Sequence, residues 1–202
     1  EHYQVYRRRW VFLFLFAGTA LLNNCICFTF APIEQFAITH YGEGAPVDWM
    51  VTVFFMVYVV FSFPTSWIIE QRGLRFGCVL GVWLQAIGAA LRSRFDPVTA
   101  TGWSWSDWEL LQFIASFGQA FYVNPPPMFA ATWFPVHERT LATTLACNSN
   151  SLGIATAYAL APLLVDVPDD IPKLLGVVSV LSLTFAVLIT AFMPDAPPTP
   201  PS

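Results

Sequence analysis

The sequence predicts an all-α membrane protein that folds as a bundle of six transmembrane helices. Of its 202 residues, 56% are hydrophobic and only 11% are charged. Soluble domains carry about 25% charged residues, so this chain lacks the polar side chains to cover a surface facing water. Six apolar segments approach or exceed the length of about 20 residues that a helix needs to cross a bilayer. We expect helices because an open sheet edge would leave backbone groups unpaired in lipid.

The order of the segments predicts the topology. An even number of spans places both ends of the bundle on one side, where six of the nine basic residues fall. Positive charge marks the cytoplasmic side, so we expect both termini in the cytoplasm, with the protein in the plasma membrane or a lysosomal or endosomal membrane. Residues 1–9 precede the bundle, residues 10–193 form it, and the proline-rich residues 194–202 begin an extended cytoplasmic linker. The predicted spans are Trp10–Ile38, Trp49–Ile69, Leu74–Leu91, Trp108–Phe134, Thr140–Val165 and Ile171–Phe192.

A short polar turn joins the second and third spans. So few residues require a tight antiparallel hairpin, and Gly73 supplies a positive φ for that turn without steric cost. Glu70 can pair with Arg72 or Arg75 on the cytoplasmic side. We expect a charge cluster that holds one conformation closed, formed by Glu70, Arg72, Arg75, Glu138 and Arg139.

Prolines mark two of the later helices. The run Asn124-Pro125-Pro126-Pro127 removes successive backbone donors inside the fourth span, so the helix must kink or break there. The break is a gating hinge, a binding element or a static kink. Before the sixth span, Asp169 and Asp170 precede Pro172, which predicts an N-cap followed by a first-turn proline.

Polar side chains at mid-membrane depth gather on the first, fourth and fifth helices. Each needs a protein partner or a water-filled cavity, so each is either an interhelical contact or part of a solute site. Adjacent asparagines on one helix cannot face the same neighbour, and we expect at least one to meet water or solute. Taken together, the three groups favour a polar cavity. They are Asn23, Asn24 and Thr29; Gln112, Ser116, Gln119 and Asn124; and Asn148, Ser149, Asn150 and Ser151.

Glu34 is an acid inside a predicted crossing. At about 1.5 Å per residue it lies roughly 36 Å along the helix from Trp10. Two interpretations stay open: a proton or cation site for ion coupling, or a solvated helix end.

No pattern in the sequence predicts an enzyme. Metalloprotease, nucleophile-elbow, phosphate-loop and dinucleotide motifs are missing. The three histidines lie at or outside helix ends, and the four cysteines fall in apolar runs without zinc-site spacing. We therefore predict no catalytic residue, no metal and no cofactor. The basic residues are scattered over membrane turns, so we expect no nucleic-acid partner.

Five stretches resemble one family of transporters. The turn Phe63–Arg75 is similar to the signature loop of the major facilitator superfamily, and more narrowly to solute carrier family 49, which contains the feline leukaemia virus subgroup C receptor-related transporters. Thr132–Pro135 and Asn150–Gly153 resemble the region of that family between its fourth and fifth helices. Asp169–Gly176 and residues 197–202 look most like the third member of the family.

This resemblance implies the N-terminal six-helix half of a facilitator transporter, paired with a C-terminal six-helix half. It implies a small organic solute, such as choline, ethanolamine, a B6 vitamin or haem. The cation-transporting members carry Trp where Cys27 stands and Gln where Ser151 stands, and both departures weigh against choline. No histidine lies within the spans to ligate haem. The candidate substrate-binding residues are Asn23, Asn24, Cys27, Gln119, Asn148 and Ser151.

We expect transport by alternating access, with the first, fourth and fifth helices lining a site near the middle of the bilayer. The alternative is a non-transporting membrane receptor or scaffold that retains the transporter fold. A scaffold need not expose Asn23 or Asn148 to water from alternating sides of the membrane, so water accessibility separates the two.

Overall fold

The computed structural model describes residues 6–42, 47–95 and 105–199, and the regular structure in these ranges is helical. The predicted all-α membrane architecture is confirmed. The predicted segments 1–9 and 194–202 are described only from residue 6 and up to residue 199. The elements in chain order are α1 Arg9–Cys27, a 3-10 turn Ala31–Ile33, α2 Glu34–Tyr41, α3 Val47–Arg72, α4 Leu74–Arg94, α5 Trp105–Val123, α6 Pro126–Trp133, α7 Val136–Leu164, a 3-10 turn Pro168–Asp170 and α8 Ile171–Phe192.

Four stretches of the described chain are long and apolar enough to cross a membrane. The helices α5 and α7 do not reach that hydropathy, because α5 begins with acidic residues and α7 contains the Asn148–Ser151 run. The count of six spans therefore stays a prediction. The four stretches are Arg9–Tyr41, Val47–Arg72, Leu74–Arg94 and Pro168–Phe192.

The first predicted span is wrong as one continuous helix, because α1 ends at Cys27. Pro32 has no N–H with which to continue the helical hydrogen bonding. The hydroxyl of Thr29 donates to the carbonyl oxygen of Cys25 at 2.7 Å, which occupies a carbonyl in the last turn. Glu34 therefore begins a separate helix of 8 residues.

The proline run breaks the fourth predicted span, as expected. α5 ends at Val123, and α6 begins at Pro126. The first backbone bond of α6 runs from the N–H of Phe129 to the carbonyl of Pro125 at 2.8 Å. Three consecutive residues without an N–H cannot continue the α5 ladder, which is why the helix ends there.

The turn between α3 and α4 forms at Gly73, whose φ of 88° confirms the predicted positive value. Asp195, in the segment after α8, lies directly against this turn. Its carboxylate accepts a hydrogen bond from the N–H of Arg75 at 3.0 Å. The N–H of Arg75 lies in the first turn of α4 and has no acceptor within the helix. Asp195, 120 positions further along the chain, supplies that acceptor.

The N-terminus of α8 differs from the predicted cap. Asp170 occupies the N-cap position but makes no side-chain hydrogen bond to α8. Its carboxylate instead accepts from the N–H groups of Asp166 and Val167, each at 3.4 Å. Pro172 lies in the first turn, as predicted.

The interior is built around α1 and α4. α4 packs against α5 and α8, α1 packs against α7, α8 and α5, and α3 lies mainly against α5. One buried apolar cluster surrounds Phe16, Tyr122 and Phe129, and another surrounds Phe30 and Trp108. We call the end where α1, α4 and α7 begin the basic end of the bundle. It carries six arginines: Arg7, Arg8, Arg9, Arg72, Arg75 and Arg139.

Several helices keep apolar faces outside this interior, α3 and α7 among them. α3 exposes Phe55, Val59, Phe63 and Trp67, and α7 exposes a similar row that includes Leu152. Apolar faces of this extent need lipid or another protein surface to cover them.

Candidate functional site

Asn23 belongs to a buried polar contact between α1 and α4. Its amide Nδ2 donates to Gln85 Oε1 at 3.2 Å, and Gln85 Nε2 donates to the carbonyl of Thr19 at 3.4 Å. Gln119 of α5 is also buried. Asn23 Oδ1 and Gln119 Oε1 accept no hydrogen bond from any residue in the described ranges. Buried acceptors of this kind are usually satisfied by water or by a ligand.

Asn24 lies on the seam between α1 and α7. Its Nδ2 donates to Asn150 Oδ1 at 2.7 Å. On the same seam the thiol of Cys25 donates to the carbonyl of Gly153 at 3.2 Å. Asn23 and Asn24 thus face two different helices, and both are buried. The Oδ1 of Asn23 accepts no hydrogen bond from a described residue, so the expectation that one of two adjacent asparagines meets water or solute stays a prediction.

Asn148 and Ser151 are the candidate residues whose side chains lie on the outer surface of the bundle. Both side chains are exposed on α7. They line a groove of about 740 Å³ between α1 and α7, together with apolar residues such as Phe14 and Leu21. The described residues provide no hydrogen-bond partner for either side chain. The groove is therefore apolar apart from a short polar stretch on α7.

Cys27 is buried in the apolar cluster around Phe30 and Trp108. The structure therefore separates the six predicted substrate-binding residues into two sets. Asn148 and Ser151 line the groove, whereas the others are buried inside the bundle: Asn23, Asn24, Cys27 and Gln119.

Arg92 is a buried residue whose role the sequence did not reveal. Its side chain is only 1% exposed, although its position near a helix end suggested a solvated turn. The guanidinium donates to Gln112 Oε1 and to Thr29 Oγ1, and it lies 5.6 Å from the ring of Phe30. Gln112 in turn donates to the carbonyl of Met50 at 3.2 Å. The guanidinium also donates to the carbonyl of Ile26 in α1 at 3.5 Å. One arginine thus connects α1, α4 and α5, and Gln112 extends the network to α3.

Asn124 fixes the break between α5 and α6 to α3. Its Nδ2 donates to the hydroxyls of Ser62 and Ser66 at 2.8 and 3.1 Å, and its Oδ1 accepts from Tyr58 at 2.9 Å. The three partners are spaced four residues apart and so share one face of α3. Asn124 is thus a structural hydrogen-bonding centre, and its polar atoms are satisfied by protein.

The predicted charge cluster divides into separate contacts at the basic end. Glu138 binds Arg9, with Oε2 and Nη2 2.7 Å apart. The Arg9 guanidinium also lies 5.7 Å from the ring of Trp10 and 5.4 Å from that of Phe134. The Nε of Arg139 donates to the carbonyl of Phe134 at 3.0 Å. These contacts join the start of α1 to the start of α7.

The other members lie around the α3–α4 turn. The Arg75 side chain donates to the carbonyl of Thr190 at 3.2 Å, and its backbone N–H donates to Asp195. Arg72 lies over the ring of Phe76 at 5.7 Å. Glu70 is exposed in the last turn of α3. These contacts join α4 to the end of α8.

Glu34 is exposed at the start of α2, away from the Asn23 contact. Its role in ion coupling stays a prediction. Among the described residues, no group of three or more His, Cys, Asp or Glu side chains is arranged to hold a metal ion.

Comparison with known proteins identifies the family. The sequence model of the Major Facilitator Superfamily matches residues 28–202. The chain belongs to the Major Facilitator Superfamily. The match includes Arg92, Asn124, both helices of the α3–α4 hairpin and all of α7. Like other members of the Major Facilitator Superfamily, it is an integral multi-pass membrane protein.

Relatives narrow the position of the chain within the superfamily. It is 32% identical to solute carrier family 49 member A3 of Danio rerio over 205 residues, which is 99% of this chain and 43% of the relative. It is 28% identical to the choline/ethanolamine transporter flvcr2b of Danio rerio, over 97% of this chain and 42% of the relative. It is 27% identical to the human choline/ethanolamine transporter FLVCR2, over 97% of this chain and 39% of the relative. These relatives confirm the resemblance to solute carrier family 49. The chain spans about two fifths of their length.

Proposed function

We propose that this chain is part of a carrier that moves a small organic solute across a membrane by alternating access. The observation that carries the proposal is the exposure of Asn148 and Ser151 without protein partners on an otherwise apolar groove. Asn148 lies 12 residues into α7, which corresponds to about 18 Å along the helix axis. That depth is near the middle of a bilayer about 30 Å thick. Polar groups at that depth need water, protein or solute to satisfy them.

The buried polar contacts complete the proposed site. Asn23 Oδ1 and Gln119 Oε1 are acceptors that described residues leave unfilled. A small rearrangement of α1 against α5 would present them to a solute that carries hydroxyl or ammonium donors. In this proposal Asn24 and Cys27 hold α1 in place and contact the solute only indirectly.

A second six-helix bundle is the proposed partner of this one. The relatives are more than twice as long as the stretch they share with this chain. The exposed faces of α3 and α7, with Phe63 and Leu152 among their residues, offer surfaces for such a bundle. The α1–α7 groove would then open between the two bundles, as transporters built from paired repeats place their sites.

The proposed orientation places the basic end in the cytoplasm. Arg92 is buried and pairs inside the bundle, so it does not count as a loop charge on the opposite side. Without it, six basic residues at the basic end compare with two at the opposite end, Arg94 and Lys173. The positive-inside rule then favours cytoplasmic termini more strongly than the sequence count did.

The contacts at the basic end are the proposed gate. Arg9–Glu138 joins α1 to α7, and Arg75 joins α4 to the end of α8. We expect Arg75→Ala to shift the balance between inward-open and outward-open forms of the full chain. Thiol accessibility of cysteines introduced at each end reports that balance, and unchanged accessibility at both ends would contradict the gating role.

Choline and ethanolamine are the first solutes to test, because relatives carry those names. The experiment measures uptake of labelled choline, ethanolamine and pyridoxine, with haem alongside, by the full-length protein in liposomes. Asn148→Leu should abolish saturable uptake because it removes the polar group from the groove. Thr184→Leu is the matched control, because Thr184 is exposed on α8 and its hydroxyl binds only its own helix.

Either outcome is informative. Saturable uptake that Asn148→Leu abolishes and Thr184→Leu preserves would support a carrier with its site on α7. Folded protein that transports none of the four solutes would count against this substrate class and favour a receptor or scaffold that retains the fold.

A further inference from the structure

A second opening lies between α3 and α5, near the end of the bundle opposite the basic end. It is a cleft of about 420 Å³, within the usual range for small-ligand sites. Its walls are aliphatic, aromatic and thioether side chains from the first turns of both helices and the turns that follow. One carboxylate, that of Glu109, lies among them.

Glu109 has no counter-ion in this cleft. The residues that line it include no lysine or arginine. Across the described ranges, Glu109 forms neither a salt bridge nor a side-chain hydrogen bond, and it is only partly exposed. A carboxylate on a low-dielectric wall attracts a cation more strongly than one in open water does. The charge of the cleft therefore favours a positively charged occupant.

The apolar walls fit the non-polar part of such a cation. Trp49 and Phe113 present aromatic side chains that remain 44% and 38% exposed, and Met56 is 53% exposed. Aromatic faces attract ammonium groups, with Trp the best of them. A methionine side chain is flexible and polarisable, so it adapts to methyl or methylene groups.

We propose that the α3–α5 cleft binds a soluble organic ammonium ion, with Glu109 as its counter-ion and Trp49 and Phe113 as its aromatic walls. This inference rests on the proposed transport function and assigns the cleft as a recognition site outside the α1–α7 groove. A zwitterionic lipid headgroup fits less well, because the cleft offers no cation for its phosphate. The free ammonium ion is therefore the occupant that charge complementarity selects.

The test measures occupancy of the cleft itself. Leu110 lines the cleft and is 56% exposed, so Leu110→Cys provides a thiol at the site. The substitution is made in a full-length Cys147→Ser background, which removes the exposed native thiol of this segment. The protein is held in phosphatidylglycerol nanodiscs, and the rate of maleimide labelling is followed with choline or with dimethylbutanol, its neutral carbon isostere. We expect choline to protect the thiol saturably and dimethylbutanol to give no protection.

Variants then identify the groups that bind. Glu109→Gln should raise the choline concentration for half-protection about tenfold, because it removes the charge and keeps the shape. Trp49→Leu should raise it about fivefold, and Trp49→Phe should recover most of that loss. Asp48→Asn is the matched control, because Asp48 is an exposed acid beside Trp49 that does not line the cleft. It should change the half-protection concentration less than twofold, as expected for a screened surface charge.

Three results would overturn the proposal. One is equal protection by choline and dimethylbutanol, which would make the site merely apolar. Another is an effect of Asp48→Asn as large as that of Glu109→Gln. The third is full protection by added phosphatidylcholine with no further effect of choline, which would make lipid the occupant. Protection of the thiol by choline does not require uptake of choline, so the two proposals can fail separately. If choline is transported but does not protect the thiol, this inference alone is contradicted. If choline protects the thiol but is not transported, the proposed function alone is contradicted.

Discussion

Gly153 is a position of close approach between α1 and α7, and its substitution tests the seam directly. A Cβ at this position would overlap the carbonyl oxygen of Leu21, and it would lie 3.0 Å from the carbonyl carbon of Leu21 and 2.9 Å from Asn24 Cβ. Backbone atoms cannot turn aside as a flexible side chain can. Gly153→Ala therefore forces the two helices apart.

The separation has two costs. Overpacking a tight contact costs about 1–3 kcal/mol. Moving α1 from α7 also strains the Asn24–Asn150 hydrogen bond, now 2.7 Å, at a cost of about 1 kcal/mol if it is lost. Together these predict a loss of about 2–4 kcal/mol in the free energy of unfolding. At roughly 2–4 °C per kcal/mol for a segment of this size, Tm falls by about 4–16 °C.

The assay is thermal unfolding of purified protein in nanodiscs, with Gly176→Ala as the matched control. Gly176 lies in α8, and a Cβ there meets nothing within 4 Å. Replacing a helical glycine by alanine without steric conflict is expected to be stabilising by about 0.4–1 kcal/mol. A Tm for Gly153→Ala within about 1 °C of the parent would refute the tight seam. An equal loss in Gly176→Ala would show that the effect comes from replacing any helical glycine.

Three further predictions test other contacts. Gly73 and Gly42 share a backbone conformation near φ 90° and ψ 160°, so alanine at either should cost about 1–3 kcal/mol. Gly73→Ala should cost more in thermal unfolding because a carboxylate lies 2.8 Å from its new Cβ, and equal losses would contradict that contact. A double-mutant cycle of Arg9→Met and Glu138→Gln should give a coupling energy of about 1 kcal/mol that weakens with salt; zero coupling at low salt would count against the pair. A lipid-permeant maleimide should label Cys147, which lies on the outer face of α7, faster than it labels the three buried cysteines of this segment in folded protein, as read by peptide mass spectrometry; equal rates would contradict their burial.

The features that the sequence predicted correctly depend on local chemistry. The positive φ at Gly73 and the helix end before Pro125 follow from the residues themselves, whatever packs around them. The bounds of α8 follow from a long apolar run next to Pro172. The break after Cys27 had an equally local signal in Pro32. Apolar length alone does not reveal the break, because the apolar run continues through Pro32.

The contacts that were missed join residues far apart in the chain. Arg9 and Glu138 are 129 positions apart, and Asn24 and Asn150 are 126 apart. No local pattern specifies such pairs. Arg92 carried a weak signal, because it follows Gln85 by seven residues and so shares its face of α4. A polar pair of that spacing inside an apolar helix indicates a buried polar face.

The distance in sequence between Asp195 and the α3–α4 turn sets an order of events during synthesis. The ribosome synthesises Arg75, in this turn, 120 residues before it synthesises Asp195, whose carboxylate accepts the hydrogen bond from the Arg75 N–H. At about 5–20 residues per second, a ribosome needs roughly 6–24 s to cover that interval. The hairpin therefore enters the membrane with the N-terminus of α4 unpaired at this position. A nascent chain that pauses after α8 but before Asp195 would hold a nearly complete bundle whose basic end is still open.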